Sequence, residues 1–239
     1  MTETIREQII DNVASKITEI RTSKGYRTNI GASVAKARQE FNAGELPVIV
    51  EWPSRETVTF ENKAEVHLML MRIIGIKAIQ DGDPSDLHEQ MFADIVENII
   101  GDKWVVDFTS GGTHEPVVGD TIEGATSGAT GYIEAVEVSS GAWADGDAAG
   151  DITIRRKNGV FQAENVDIGT NSNVFTIDGT LTHRSPLYTT TGDLAQDIKM
   201  IAGGTDEYPA GADEGVKAPV EFLIEYVTAK GNPYRQITA

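Results

Sequence analysis

The chain has 239 residues, with 37 acidic and 20 basic side chains, a net charge of −17 and no cysteine. That composition excludes a disulfide scaffold, a thiolate nucleophile and a zinc–thiolate site, and so large an excess of acid argues against a protein that grips duplex DNA through clustered Lys and Arg. The length suits a core domain plus a smaller one.

The first stretch, MTETIREQII, carries charges every few residues rather than the apolar centre of a secretory signal. No segment approaches eighteen uninterrupted apolar residues, so none is expected to span a membrane. Ile5, Ile9, Val13, Ile17 and Ile20 keep one helical face apolar, and Thr4 with Glu7 has capping-box spacing, which predicts a helix over 4–22. Between Ile20 and Gln39 stand five cations, Arg21, Lys24, Arg27, Lys36 and Arg38, and no acid. Such runs are commonly solvated loop faces, but in an acidic chain this one is a candidate interface for an acidic partner surface.

Next come a short apolar strand over 46–52, which Pro53 should end, and a longer strand in ENKAEVHLMLMRIIGIKAI, apolar on both faces and so expected to be central and covered. Asp83 as N-cap, Pro84 in the first turn, Leu87, Met91, Ile95 and Ile99 four apart and Gly101 after them predict a helix over 84–100. The spacing also places His88 at an exposed helical position. A weaker helix is expected over 193–201, and a closing strand in APVEFLIEYVTAKGNPY, where Val220, Phe222, Ile224 and Tyr226 alternate with other residues.

Residues 103–189 differ in kind. Twelve of the 24 glycines fall between 111 and 179, among short alternating runs separated by turn residues. This predicts a small all-β domain, barrel or sandwich-like, with Trp143, Phe161, Phe175 and Tyr132 in its core. The expected fold class is therefore α+β: a central mixed or antiparallel sheet flanked by helices, from 1–102 and 190–239, with the β domain inserted. Segments 103–108 and 181–190 are expected to pair as a stem leading out to it.

The run GDTIEGATSGATGY at 119–132 resembles a phosphate cradle only superficially. Tyr132 and Ile133 follow its last glycine where a Walker loop needs Lys and Ser or Thr, so the run is read as a turn feeding a strand. His67, His88, His114 and His183 lie far apart, and HEQMF lacks the second histidine of a zinc-protease helix. Asp145, Asp147 and Asp151 offer oxygens of the kind calcium takes, without EF-hand spacing, and read as a solvated acidic turn. No enzyme activity, cofactor or metal is expected. Paired carboxylates for glycoside hydrolysis stay open, because the fold sets their separation.

In order, the helix IREQIIDNVASKITEI, the link GYRTNIGASVAKARQEF before LPVIVEW, the pair VHLMLMRIIGIKA and DLHEQMFADIVENIIGD, then GDLAQDIKMIAGGT and VEFLIEYVTAKGNPY, resemble the tail terminator proteins of long-tailed bacteriophages. Residues 103–189 look like a β module recurring in phage virion proteins, an insert that ordinary tail terminators lack. The resemblance implies a structural virion protein at the head–tail junction, assembled in the host cytoplasm. It implies a homohexameric ring that caps the tail tube, meets the tube protein and the head-completion or stopper protein, and lets genome DNA pass without sequence-specific binding. The alternatives are a receptor- or glycan-binding virion module, another head–tail connector, or a hydrolase with unrecognised carboxylates.

Overall fold

A computed structural model describes residues 3–38, 41–112, 114–204 and 215–237; Gln39, Glu40 and Thr205 of the segments quoted above lie outside the described residues. In chain order the elements are α1 (Ile5–Ile17), β1 (Val34–Lys36), β2 (Val48–Glu61), β3 (Ala64–Ala78) and α2 (Pro84–Ile100). Six strands follow, β4 (Lys103–Gly111), β5 (Thr121–Gly124), β6 (Thr130–Ser140), β7 (Ala148–Asn158), β8 (Ala163–Ile168) and β9 (Asn171–Arg184), and then α3 (Pro186–Thr191), β10 (Asp197–Gly203), β11 (Gly215–Ala229) and β12 (Asn232–Gln236). The fold is α+β and comprises two compact units, one of residues 1–21, 27–100 and 186–239, the other of 22–26 and 101–185.

The first unit is built on a mixed sheet of order β1-β2-β3-β11-β10, with β12 also on β11. Its β1–β2 pair is parallel and the others antiparallel. The capping box forms: Glu7 N donates to Thr4 Oγ1 at 3.1 Å and Thr4 N to Glu7 Oε2 at 2.8 Å. Helix α1 stops at Ile17, short of the expected 22, because the chain crosses its end there. Gly31 N donates to Ile20 O, and a Cβ on Gly31 would stand 2.3 Å from Ile17 O. The Asp83 carboxylate accepts from Ser85 N at 2.9 Å, and α2 runs over the expected span.

Leu87, Met91, Ile95 and Ile99 of α2 are buried, as are Met69, Met71 and Ile73 of β3 and Val220, Phe222 and Ile224 of β11. A Cβ on Gly75 of β3 would stand 3.3 Å from both Ile95 Cδ1 and Met91 Cβ, which places α2 directly on the sheet. Period-two alternation therefore puts one face of the sheet under helices.

Several expectations are corrected. Pro53 does not end the strand: β2 continues to Glu61, with a register shift between Pro53 and Arg55. β1 pairs only with Ile49–Glu51, so the missing N–H of Pro53 faces an edge where no ladder bond is lost. β3 is covered on one face only, since Val66, Leu68, Leu70 and Ile74 on the other are half-exposed. Residues 197–203 form a strand rather than a helix, because the edge of β11 offers backbone partners from Glu225 to Val220 and outweighs local propensity. The helix lies earlier, at Pro186–Thr191. His88 is buried rather than exposed, its Nδ1–H donating to Lys217 O at 3.0 Å.

In the second unit β4-β7-β6-β5-β8-β9 close into a barrel. Trp143, Phe161 and Phe175 are in its core, with Trp143 stacked on Phe108 at 5.1 Å. Tyr132 is half-buried instead, 5.1 Å from the Arg156 guanidinium. Residues 103–106 do pair with 181–184, but as neighbouring staves of the barrel rather than as a stem. Residues 22–26 belong to this unit because the buried Arg155 donates to Lys24 O at 2.7 Å and stands 4.1 Å over the Tyr26 ring.

The glycine-rich run is strand, turn and strand: Gly124 N donates to Ala129 O, and Gly128 takes φ 64°. Its N–H groups do hold an anion, which is the protein's own Glu164. That carboxylate accepts from Thr126 N at 2.7 Å, Ser127 N at 2.8 Å, Ser127 Oγ at 2.6 Å and Gln162 N at 2.9 Å. Burial works to raise its pKa, but these four donors carry it down to about 2. Nearby, Asp147 accepts from Ala142 N, while Asp107 lies on β4 opposite Asp151, whose hydrogen bond raises the Asp107 pKa. Among the described residues no three metal-binding side chains converge, there or elsewhere.

Candidate interface

The five cations of the basic run end in different settings. Arg21 is exposed, its Nε bonded to Thr18 O at 3.0 Å. Lys24 is half-buried and belongs to the barrel unit. Arg27 is exposed on a backbone tied down by Asp94, which accepts from Arg27 N at 3.1 Å, Thr28 N at 2.7 Å and Thr28 Oγ1 at 2.7 Å. Burial nonetheless raises the Asp94 pKa. Lys36 is ion-paired with Asp11, whose hydrogen bond raises the lysine's pKa. Arg38 grips Glu45 with two bonds, at 2.6 and 2.9 Å, and lies 4.7 Å over the Phe41 ring. Two of the five charges are thus neutralised from within the first unit, which leaves Arg21 and Arg27 most available to a partner.

The pairing of β1 with β2 sets Lys36 opposite Glu51. Glu51 is fully buried, and neither carboxylate oxygen has a hydrogen-bond partner among the described residues. Desolvation drives its pKa up to about 7, Lys36 opposing and Asp11 assisting. The sequence signal was one glutamate inside the apolar run LPVIVEW.

The sheet also leaves two edges open. Beyond Glu51, β2 has no outer strand among the described residues, and there Val58 is exposed and Phe60 is 65 % exposed. At the far edge β10 pairs, among the described residues, with β11 alone, and Met200 and Ile201 are exposed. Unpaired N–H and C=O groups beside exposed apolar side chains are a template for another strand.

Where α1 begins, Arg6 Nε donates to Glu56 Oε2 at 2.9 Å, and His67 lies 2.9 Å from both Glu56 Oε1 and Thr228 Oγ1. Tyr226, stacked on His67 at 4.5 Å, also donates to Glu56, and burial pushes its hydroxyl pKa up. Carboxylate, imidazole and hydroxyl stand in the order of a nucleophile triad. Thr228, however, is 1 % exposed inside β11 between β3 and β12; it lines a small pocket with Glu56, His67 and Tyr226 but presents little of itself to a substrate there. The network ties α1 to the sheet through β2, β3 and β11.

No protein-family model matches this chain and no curated protein is significantly similar to it, so the functional reading rests on the residues themselves.

Proposed function

We propose that this protein is a structural virion subunit of a long-tailed bacteriophage, closing with copies of itself into a ring of six on the end of the tail tube. The ring stops tube polymerisation and joins the tail to the head-completion proteins, at the head–tail junction of the virion. The observation that carries this reading is the pair of open edges in the first unit. They belong to different strands on opposite sides of the sheet, β2 past the short β1 and β10 at the last place in the order. Joining the β2 edge of one copy to the β10 edge of the next is a heterologous contact, which closes into a ring when the rotation permits. The order of elements in the quoted segments supports the same reading. The net charge of −17 suits a lumen along which DNA slides without being held.

The test is the mass in solution together with negative-stain images. Rings are expected, and Val58→Lys with Phe60→Lys should leave monomers with an unchanged circular dichroism spectrum. A monodisperse monomer at every concentration, unable to stop tube growth when added to purified tube protein, would sink the proposal.

A further inference from the structure

The half-open face of the sheet in the first unit carries a groove of about 500 Å³. Val50, Ile74 and Ile76 form its floor, and Trp52 and Phe41 stand at its sides. Three cations rim it, Arg38, Arg72 and Lys217, and among the described residues no acidic side chain lines it. In a chain with 37 acids against 20 bases, that local reversal of sign sets the groove apart from its surroundings.

Arg38 is already neutralised by Glu45, so Arg72 and Lys217 carry the charge that the groove offers a partner. Glu45 fixes Arg38 through its two bonds and leaves half of that side chain exposed. Arg72 has only a long contact to Glu221, at 3.8 Å, and is also about half exposed. Lys217 is exposed, with its backbone oxygen fixed by His88. An apolar floor bordered by positive charge complements an extended segment that offers one bulky apolar side chain flanked by carboxylates. A free phosphate or nucleic-acid backbone would satisfy the rim and leave the floor without a partner.

We propose that this groove binds an acidic, extended segment of a partner protein, seating one apolar side chain against Trp52 and the Val50–Ile74–Ile76 floor while its carboxylates meet Arg72 and Lys217. The inference does not depend on ring closure: a chain that binds the segment yet never forms rings keeps this site and loses the assembly proposed above.

The probe is a fluorescein-labelled decapeptide of alternating glutamate and serine with one central phenylalanine, titrated with the full chain by anisotropy. Binding should weaken as salt rises, because exposed charges are screened. It should fall by about tenfold or more in Arg72→Glu with Lys217→Glu, and likewise when serine replaces the phenylalanine. Arg72→Gln with Lys217→Gln is a milder pair should the reversal not fold. A lysine-for-glutamate peptide bound as tightly, or affinity untouched by either double substitution, would overturn the proposal. Peptide binding absent at every salt concentration, with self-association lost in the same variants, would assign the groove to a second copy of the chain and overturn it as well.

Discussion

Replacing Glu51 with Gln should make the protein more stable at alkaline pH, and the size of the gain follows from the burial of the carboxylate. Its folded pKa of about 7 lies above the ordinary 4.5, so the folded state keeps a proton that the unfolded state releases. Stability contributed by this group is fully present below pH 4.5, declines as pH rises, and is gone above pH 7. A gap of roughly 2–3 units at about 1.4 kcal/mol each is on the order of 3 kcal/mol. The chain has a pI near 4.5, so the useful range begins above pH 5. Between about pH 5.5 and 8.5 the same linkage relation leaves about 2 kcal/mol of the change to be seen. Urea unfolding followed by Trp52 fluorescence, in a Trp104→Phe and Trp143→Phe background, reads the first unit alone. The variant should show little pH dependence from this site, its advantage over the parent growing by about 2 kcal/mol across the range. Parallel stability profiles for parent and variant would show that Glu51 titrates as an ordinary surface carboxylate, and the buried placement opposite Lys36 would be wrong.

Glu164→Ala should cost the barrel about 2–3 kcal/mol, because four donors lose one buried acceptor. The parent's contribution, present above the ordinary 4.5, should disappear as pH falls toward 2, and a melting temperature unchanged at neutral pH would refute the role. Ile95→Ala should cost about 2–4 kcal/mol through the cavity it leaves under the sheet, checked by urea unfolding. Replacing 102–185 by a short Gly-Ser linker should leave the first unit folded. Thr190 Oγ1 bonds Ile99 O at 2.8 Å and keeps the two ends adjacent, so loss of cooperative unfolding in that variant would refute the independence of the unit.

Local signals that agree with one another were legible from sequence. Thr4 with Glu7, Asp83 with Pro84, and the four-residue spacing from Leu87 to Ile99 each specify a helix without help from distant residues. The alternation in 216–226 specifies a strand in the same way. What sequence could not supply depended on partners far along the chain. Residues 193–201 read as a weak helix until the edge of β11 is known to lie beside 197–203. His88 reads as exposed until Lys217, 129 residues on, presents its carbonyl. Glu51 falls inside the predicted strand 46–52, but nothing local reveals that β1 returns alongside it in parallel. The basic run shows the same limit: a count of charges between 20 and 39 contains no information about Asp11 and Glu45, which neutralise Lys36 and Arg38.

The two units treat strand edges differently, and the contrast bears on function. In the barrel every strand has two neighbours, and the longest lengths left without a partner among the described residues are the outer ends of β6 and β9. In the first unit the outer length of β2 and the far side of β10 have no strand partner among the described residues, and Phe60, Met200 and Ile201 are exposed beside them. Edges of this kind favour uncontrolled association unless something guards them. Here charged residues punctuate the edges, with Arg55, Glu56 and Glu61 along β2 and Asp197 and Lys199 along β10, so a second strand must match charge as well as backbone spacing before it pairs. An edge that is open, apolar in part and charged at intervals discourages indiscriminate stacking while still accepting one complementary edge. That combination suits the ring proposed above, and the proposal places the contact between copies on the α+β unit.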